Sequence, residues 1–310
     1  LLPIKSIQKI SLLLYLSGVF LLVWTLFYGL EIKGARRWIV VLGNSIQASE
    51  FVKPAFTVLS AWLIAEKSKE ETFPAIMISL VALGILLFLL MLQPDLGMSL
   101  IISTTWLGQL FIAGMSVIWM VILAIIGVAG VCAAYFMFPH VTKRIDQFFD
   151  PTTSNTHQDL YQITKSLEAF VNGGLLGKGP GEGVVKKYVP DAHADFVFAV
   201  AGEEFGLILC LVIVLIFAVI VVRSLIRSIQ NSDIFILLAT SGLAMQFGLQ
   251  AFINMASALH IIPTKGMTMP FISYGGSSML ALSISAGMIL CLTRKRHGVL
   301  EGFGHKGWNV

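Results

Sequence analysis

An all-α polytopic integral membrane protein is the fold class this sequence predicts, with about eight transmembrane helices and one large extracytoplasmic loop. Three observations predict it. Of 310 residues, 56% are hydrophobic and only 12% charged, whereas a soluble domain carries about 25% charged residues; the mean hydropathy is +0.86. Uncharged runs at 10–30, 72–92, 205–222, 234–255 and 267–292 reach the roughly 20 residues that cross a hydrocarbon core. The polar chemistry is gathered between those runs, most densely in 173–206, which reads GGLLGKGPGEGVVKKYVPDAHADFVFAVAGEEFG.

The spans are expected at 10–30, 51–66, 73–92, 96–113, 117–138, 196–222, 234–256 and 270–292. The first is flanked by Lys5 and Lys9, and no small-residue cleavage site follows it, so it reads as a span rather than a signal peptide. The second follows Glu50, Lys53 and Pro54; Ser49 reads as its N-cap and Pro54 as a first-turn residue, where a missing N–H costs nothing. The stretch 96–142 has no Asp, Glu, Lys or Arg and is too long for one span; Gly114, Met115 and Ser116 divide it into a helical hairpin. One membrane domain is expected over 1–310, with 139–195 as the large outer loop and 294–310 as a cytoplasmic tail. Lys5, Lys9, Lys67, Lys69, Arg223, Arg227, Arg294, Lys295 and Arg296 fall on one side in the short loops, which puts that side and both chain ends in the cytoplasm. Cys132, Cys210 and Cys291 all lie in spans and read as small packing residues, not as a disulfide framework or metal site.

Five motifs carry chemistry. In the first outer loop, Arg36 and Arg37 beside Trp38 suit bidentate phosphate binding with an interfacial ring, or a plain juxtamembrane anchor. Glu50 and Lys53 are three apart and can pair on one helix face, as a structural pair or as the wall of a polar cavity. Gln93-Pro94-Asp95-Leu96-Gly97 breaks the helix between two spans, and Asp95 either caps the next span or faces a cavity.

The long loop holds the fourth motif. Leu160, Ile163, Leu167, Phe170 and Val171 have helical spacing opposite Gln162, Lys165 and Glu168, predicting a helix lying flat at the interface. Gly177, Gly179 and Gly181 follow. No GK[ST] closes the loop and no strand precedes it, so it is neither a P-loop nor a dinucleotide fingerprint; its backbone N–H groups could approach a phosphate, or the glycines could be a hinge. His193 and Asp195 then lead into a span, with Asp195 in its first turn and Glu203 and Glu204 about 12 Å deeper by helical rise. One of the two glutamates must face protein or water. The fifth motif, 262–278, interrupts the last span with Pro263, Pro270, Gly266, Gly275 and Gly276, and offers Lys265, Ser273 and Tyr274; such breaks free backbone groups for ligands. These residues describe an outward-facing polar cavity for a phosphate-bearing, polyol-rich substrate arriving from the lipid side. They do not separate an enzyme from a lipid carrier.

Taken in order, GARRWI, SIQASEFVKP, QPDLG, GGLLGKGPGEG with PDAHADFVFAVAGEEFG, and PTKGMTMPFISYGGSS closely resemble the SEDS family (shape, elongation, division and sporulation) of peptidoglycan glycosyltransferases, from about Lys33 to Arg296. The forms PDAHADFVFA and PTKGMTMPFISYGGSS are more similar to the division branch than to the elongation branch. The resemblance implies ten spans, of which this sequence begins at the third. Ala48 stands where the family usually has Pro, and Ala194 where Thr is usual; neither removes a titratable group.

The resemblance implies polymerisation of lipid II into β-1,4 glycan strands on the outer face of the bacterial cytoplasmic (inner) membrane, at the division septum. It implies Asp195 as the catalytic base; Arg36, Arg37, Lys53 and Lys265 are the candidate contacts to the leaving pyrophosphate, because that group needs positive charge. Trp38, Glu50, Gln93, Asp95, His193, Ser273 and Tyr274 complete the expected substrate site, supported by Glu203, Glu204, Gly177, Gly179 and Gly181. A divalent cation (Mg or Mn) at Asp195 or Asp95 is compatible, although no ligand cluster demonstrates one. The expected partners are lipid II, a class B penicillin-binding protein transpeptidase, other divisome proteins and membrane lipids, with no nucleic acid. A lipid II flippase is the alternative, and a division scaffold would leave the buried charges unexplained.

Overall fold

The computed structural model describes residues 2–32, 35–41, 43–67, 74–137, 141–142, 145–146, 157–263 and 266–294. Apolar runs become helices because a helix satisfies every backbone group internally where no water is available. The helices are α1 (Ile4–Tyr28), α2 (Ala48–Lys67), α3 (Ala75–Leu92), α4 (Leu96–Ile112), α5 (Val117–Met137), α6 (His157–Gly173), α7 (Val197–Ile229), α8 (Ile234–Ala258) and α9 (Gly276–Leu292). Of these, α1, α3, α5, α7 and α8 are long and apolar enough to cross a membrane, while α4 and α9 are shorter apolar helices. Helices therefore stand at all eight expected positions, with α6 added where the amphipathic spacing placed it. The tail 295–310 and much of the loop 139–156 lie outside the described residues.

The bundle is organised around α2 and α8. Helix α2 packs against α1, α3, α4, α8 and α9, and α8 also meets α4, α7 and α9. One apolar cluster fills this interior, including Phe56, Ile101, Ile102, Leu110, Leu238 and Leu243. A second lies beneath the loop, where Ala169 of α6, Val185 and Val189 meet Phe196, Phe198 and Ala199 at the start of α7 and Ala251 and Ala258 of α8. By contrast, none of the span of α5 is buried.

Three findings depart from expectation. Residues 30–47 form an antiparallel sheet of β1 (Leu30–Ile32), β2 (Ala35–Val41) and β3 (Asn44–Gln47), with Trp38 opposite Gln47 and Glu31 opposite Arg36. Next, α2 starts at Ala48, straight from β3, so Ser49 is no cap and Pro54 lies inside the helix. Lacking an N–H, Pro54 leaves the Glu50 carbonyl without its helical donor.

Finally, α7 runs to Ile229 but is broken at Gly206, which has φ 75° and ψ −174°. The chain after Gly173 inserts into that break. Lys178 and Gly179 donate their N–H groups to the freed carbonyls of Glu203 and Glu204 at 3.0 and 2.9 Å, and the Leu207 N–H donates to Gly174 O at 3.0 Å. Only glycine fits at two of these positions: a Cβ on Gly206 would lie 2.3 Å from Leu175 O, and one on Gly177, at φ 82°, would lie 2.2 Å from Glu204 O.

Candidate functional site

The first two turns of α2 carry the first part of the site. Lys53 and Glu50 are 2% and 5% exposed, and Lys53 Nζ donates to Glu50 Oε2 at 2.8 Å. It also donates to Gln250 Oε1 of α8 at 2.6 Å. An isolated charge would not persist here, so the pair and the amide are what keep the ammonium inside the bundle. An ammonium has three donors, and two are committed to these partners. Gln250 Nε2 in turn donates to Thr268 O at 3.0 Å and to Thr268 Oγ1 at 3.3 Å, and Thr268 Oγ1 lies 2.6 Å from Ser278 Oγ at the start of α9.

Asp195 comes to the same place from the loop. It is half-buried and lies in the turn 191–195, its N–H donating to Asp191 O at 3.0 Å. Helix α7 begins at Val197 with Phe196 as N-cap, so Asp195 precedes the helix rather than sitting in its first turn. The rigid turn, not the helix dipole, sets its position. Asn254 of α8 holds that turn, its Nδ2 donating to Asp195 O at 3.0 Å and to Met267 O at 2.6 Å. Gly266 is close enough that an added Cβ would lie 3.3 Å from Asp195 Oδ2. Alongside, the Tyr274 N–H donates to His193 O at 2.9 Å, and the two exposed rings meet edge-on at 5.7 Å. Ser273 Oγ accepts from Met269 N at 2.7 Å and so closes the turn below them. Lys265 lies outside the described residues.

The other expected residues are placed differently. Arg37 is turned onto the end of α3: its Nε donates to Gln93 O at 2.9 Å and its Nη2 to Pro94 O. Gln93 Nε2 donates to Leu22 O at 3.0 Å, and Asp95 caps α4, Oδ1 accepting from Met98 N at 3.3 Å and Oδ2 from Gln47 Nε2 at 3.3 Å. These three side chains fasten the sheet and α1 to the α3–α4 turn. Arg36 is exposed and pairs across strands with Glu31 at 3.3 Å. Trp38 is half-buried on β2, facing Gln47 of β3, and β3 packs against α9.

Glu203 is fully buried and organises the loop. Its Oε1 accepts from Asn172 Nδ2, Val184 N and Val185 N at 2.8, 2.9 and 2.8 Å, and its Oε2 from Lys186 N at 2.7 Å. Glu204 pairs with Lys186. The Gly177 and Gly179 segment thus spends its close approach on the carbonyls of Glu203 and Glu204 and not on a phosphate, while the neighbouring N–H groups enclose the carboxylate. Gly181, at φ 83°, stands in open space. On α6, Ser166 and Ala169 are buried while Leu167 and Val171 are exposed, and the hydrogen bond that Lys165 Nζ donates to Glu168 Oε2 at 2.6 Å holds the Lys165 pKa above its ordinary value. No group of three His, Cys, Asp or Glu side chains suited to a metal ion occurs among the described residues.

The profile of the cell cycle protein family FtsW, RodA and SpoVE matches residues 1–298. The chain belongs to this family. It is 42% identical over 304 residues to the probable peptidoglycan glycosyltransferase FtsW of Caulobacter vibrioides, covering 98% of this chain and 77% of that one. The corresponding protein of Saccharophagus degradans is 36% identical over 300 residues, covering 94% and 76%. Among solved structures, a chain of a peptidoglycan synthase complex that coordinates polymerization and crosslinking superposes with a TM-score of 0.77 at 23% identity, covering 93% of this chain and 82% of that one. The rod shape determining protein RodA of Thermus thermophilus gives 0.66 at 23% identity, covering 95% and 81%. At these identities the structures establish a shared fold, that of SEDS-family membrane proteins, and the sequence relatives place the chain with the FtsW proteins.

Proposed function

We propose that the protein is a peptidoglycan glycosyltransferase that polymerises lipid II into β-1,4 glycan strands on the outer face of the cytoplasmic membrane, at the division septum. The observation that carries this reading is the convergence of Asp195, the buried Glu50–Lys53 pair and the 266–278 turn on one stretch of α8, in a family whose relatives bear the glycosyltransferase name. In the proposed reaction the 4-hydroxyl of the acceptor GlcNAc gives its proton to the Asp195 carboxylate as its oxygen bonds to the anomeric carbon of the donor MurNAc. The bond from that carbon to undecaprenyl pyrophosphate breaks on the opposite face, and the α linkage becomes β. The base acts on the attacking hydroxyl, and nearby positive charge offsets the charge gathering on the leaving group. Lys53 and Lys265 are the proposed source of that charge, with exposed Arg36 available to steer the anionic lipid. The bonds Arg37 makes favour a structural role over direct pyrophosphate contact. No step is assigned to a metal ion.

This reading puts 139–195 outside, both chain ends and the tail 294–310 inside, and a class B penicillin-binding protein and other divisome proteins beside the outer segments. The broken helix at Gly206 and the interrupted segment before α9 also suit a lipid II carrier. One experiment separates the two: purified protein with its class B penicillin-binding protein and lipid II in detergent. Long glycan from the wild type supports the polymerase. A protein that moves lipid II between leaflets of a vesicle and makes no glycan in detergent is a carrier.

A further inference from the structure

Gln250 belongs to none of the motifs by which the site was read, and Asn254 only precedes the last of them with no role assigned, yet the two join the parts of the site. They lie one helical turn apart on α8 and are each 1% exposed. Their partners are far off in sequence. Gln250 reaches Lys53, 197 residues away, and Asn254 reaches the Asp195 peptide, 59 residues away. Two carbonyl oxygens, those of Asp195 and Met267, surround Asn254 Nδ2, which fixes the orientation of the amide. Its Oδ1 is buried without a partner among the described residues. Leaving a buried acceptor unpaired is costly, and a leucine or methionine would pack a helix seam without that cost. Gln250 is suited to its partner for another reason. It accepts a hydrogen bond from Lys53 without adding a second negative charge to the one Glu50 already brings.

We propose that Gln250 and Asn254 are positioning residues of the polymerase site. Asn254 fixes the turn that presents the Asp195 carboxylate, and Gln250 fixes the Lys53 ammonium relative to the 266–278 turn. The spacing of base and cation is thereby set by one turn of a single rigid helix. This inference rests on the polymerase reading above.

The test uses the full chain with its class B penicillin-binding protein, lipid II in detergent, and separate determination of kcat and KM. Loosening the base turn removes an alignment that matters in the transition state. Asn254→Ala should therefore lower kcat about tenfold to a hundredfold with KM within about threefold of wild type, measured at a temperature where the melting curve shows the variant fully folded. Asn254→Ser keeps one donor and should recover part of the lost kcat. Gln250→Glu still accepts from Lys53 but, beside Glu50, makes the cluster net negative, and should lower kcat severalfold or more because the charge that Lys53 offsets gathers in the transition state. Wild-type kcat for a folded Asn254→Ala, or losses in both variants that merely follow the melting midpoint, would overturn the proposal. Should Asn254→Ala not fold, Asn254→Ser decides it: a folded protein with unaltered kcat counts against positioning. Failure of the underlying reading looks different, because Asp195→Asn would then retain normal polymerisation.

Discussion

Glu203→Gln is the substitution whose effect follows most directly from the geometry. The wild-type carboxylate is fully buried and accepts four hydrogen bonds, three at Oε1 and one at Oε2. An amide keeps one acceptor oxygen. With Oε1 retained, the Lys186 N–H meets an amide NH2 and loses its acceptor, at about 1–3 kcal/mol for a buried unpaired donor. The bonds from Asn172, Val184 and Val185 pass from charge-assisted to neutral, each weakening by about 1 kcal/mol. Removing a buried charge returns part of this, leaving a net loss of about 2–4 kcal/mol. The loss falls on the 184–186 segment, which supplies three of the four donors, and on the end of α6, which supplies Asn172. Amide hydrogen exchange at 184–186 should speed up by roughly 30- to 1,000-fold, while exchange in the centre of α8 stays as it was. Exchange at 184–186 within threefold of wild type would refute the view that this carboxylate holds the loop closed.

Other substitutions follow from the same contacts. Gly206→Ala forces a Cβ to 2.3 Å from Leu175 O at φ 75°, so a loss of roughly 2–6 kcal/mol is expected from strain and overlap together, seen as a lower melting midpoint in detergent or failed expression. Arg37→Ala removes two bonds from a guanidinium to the carbonyls ending α3 and should cost about 2 kcal/mol; Arg37→Lys should recover little, because it lacks the planar fork, and both are checked by thermal unfolding. Lys53→Met strands the buried Glu50 and should cost about 3–5 kcal/mol; pairing it with Glu50→Gln should recover much of this, a coupling that a double-mutant cycle measures.

The helices were legible in the sequence because long uncharged runs allow little else in a bilayer, and α6 because its apolar residues keep a helical period. The sheet at 30–47 was not, since Arg36-Arg37-Trp38 reads equally well as a membrane-edge anchor and strand pairing depends on partners that the local sequence does not reveal. The break at Gly206 was hidden for a similar reason. Residues 196–222 read as one span, and only the inserted 173–179 segment shows why the helix opens there. Of the site, Asp195, Glu50 and Lys53 were legible as charges in or beside spans. One of Glu203 and Glu204 was expected to face protein or water, and Glu203 is fully buried, but its four donors come from segments whose path is tertiary. Gln250 was passed over and Asn254, which with Met255 precedes the PTKGMTMPFISYGGSS motif, was given no role, although Gln246, Gln250 and Asn254 recur every four residues. That spacing puts costly amides on one face of a span and was the available signal.

The central claim is that Asp195 accepts the proton of the attacking sugar hydroxyl, and turnover of Asp195→Asn tests it most directly. The variant replaces the carboxylate by an amide of the same shape and leaves the backbone carbonyl to Asn254. With the class B penicillin-binding protein bound and lipid II saturating, the account predicts a melting midpoint like that of wild type and a kcat lower by about 10²–10⁴. A folded Asp195→Asn protein that polymerises lipid II at the wild-type rate would contradict it.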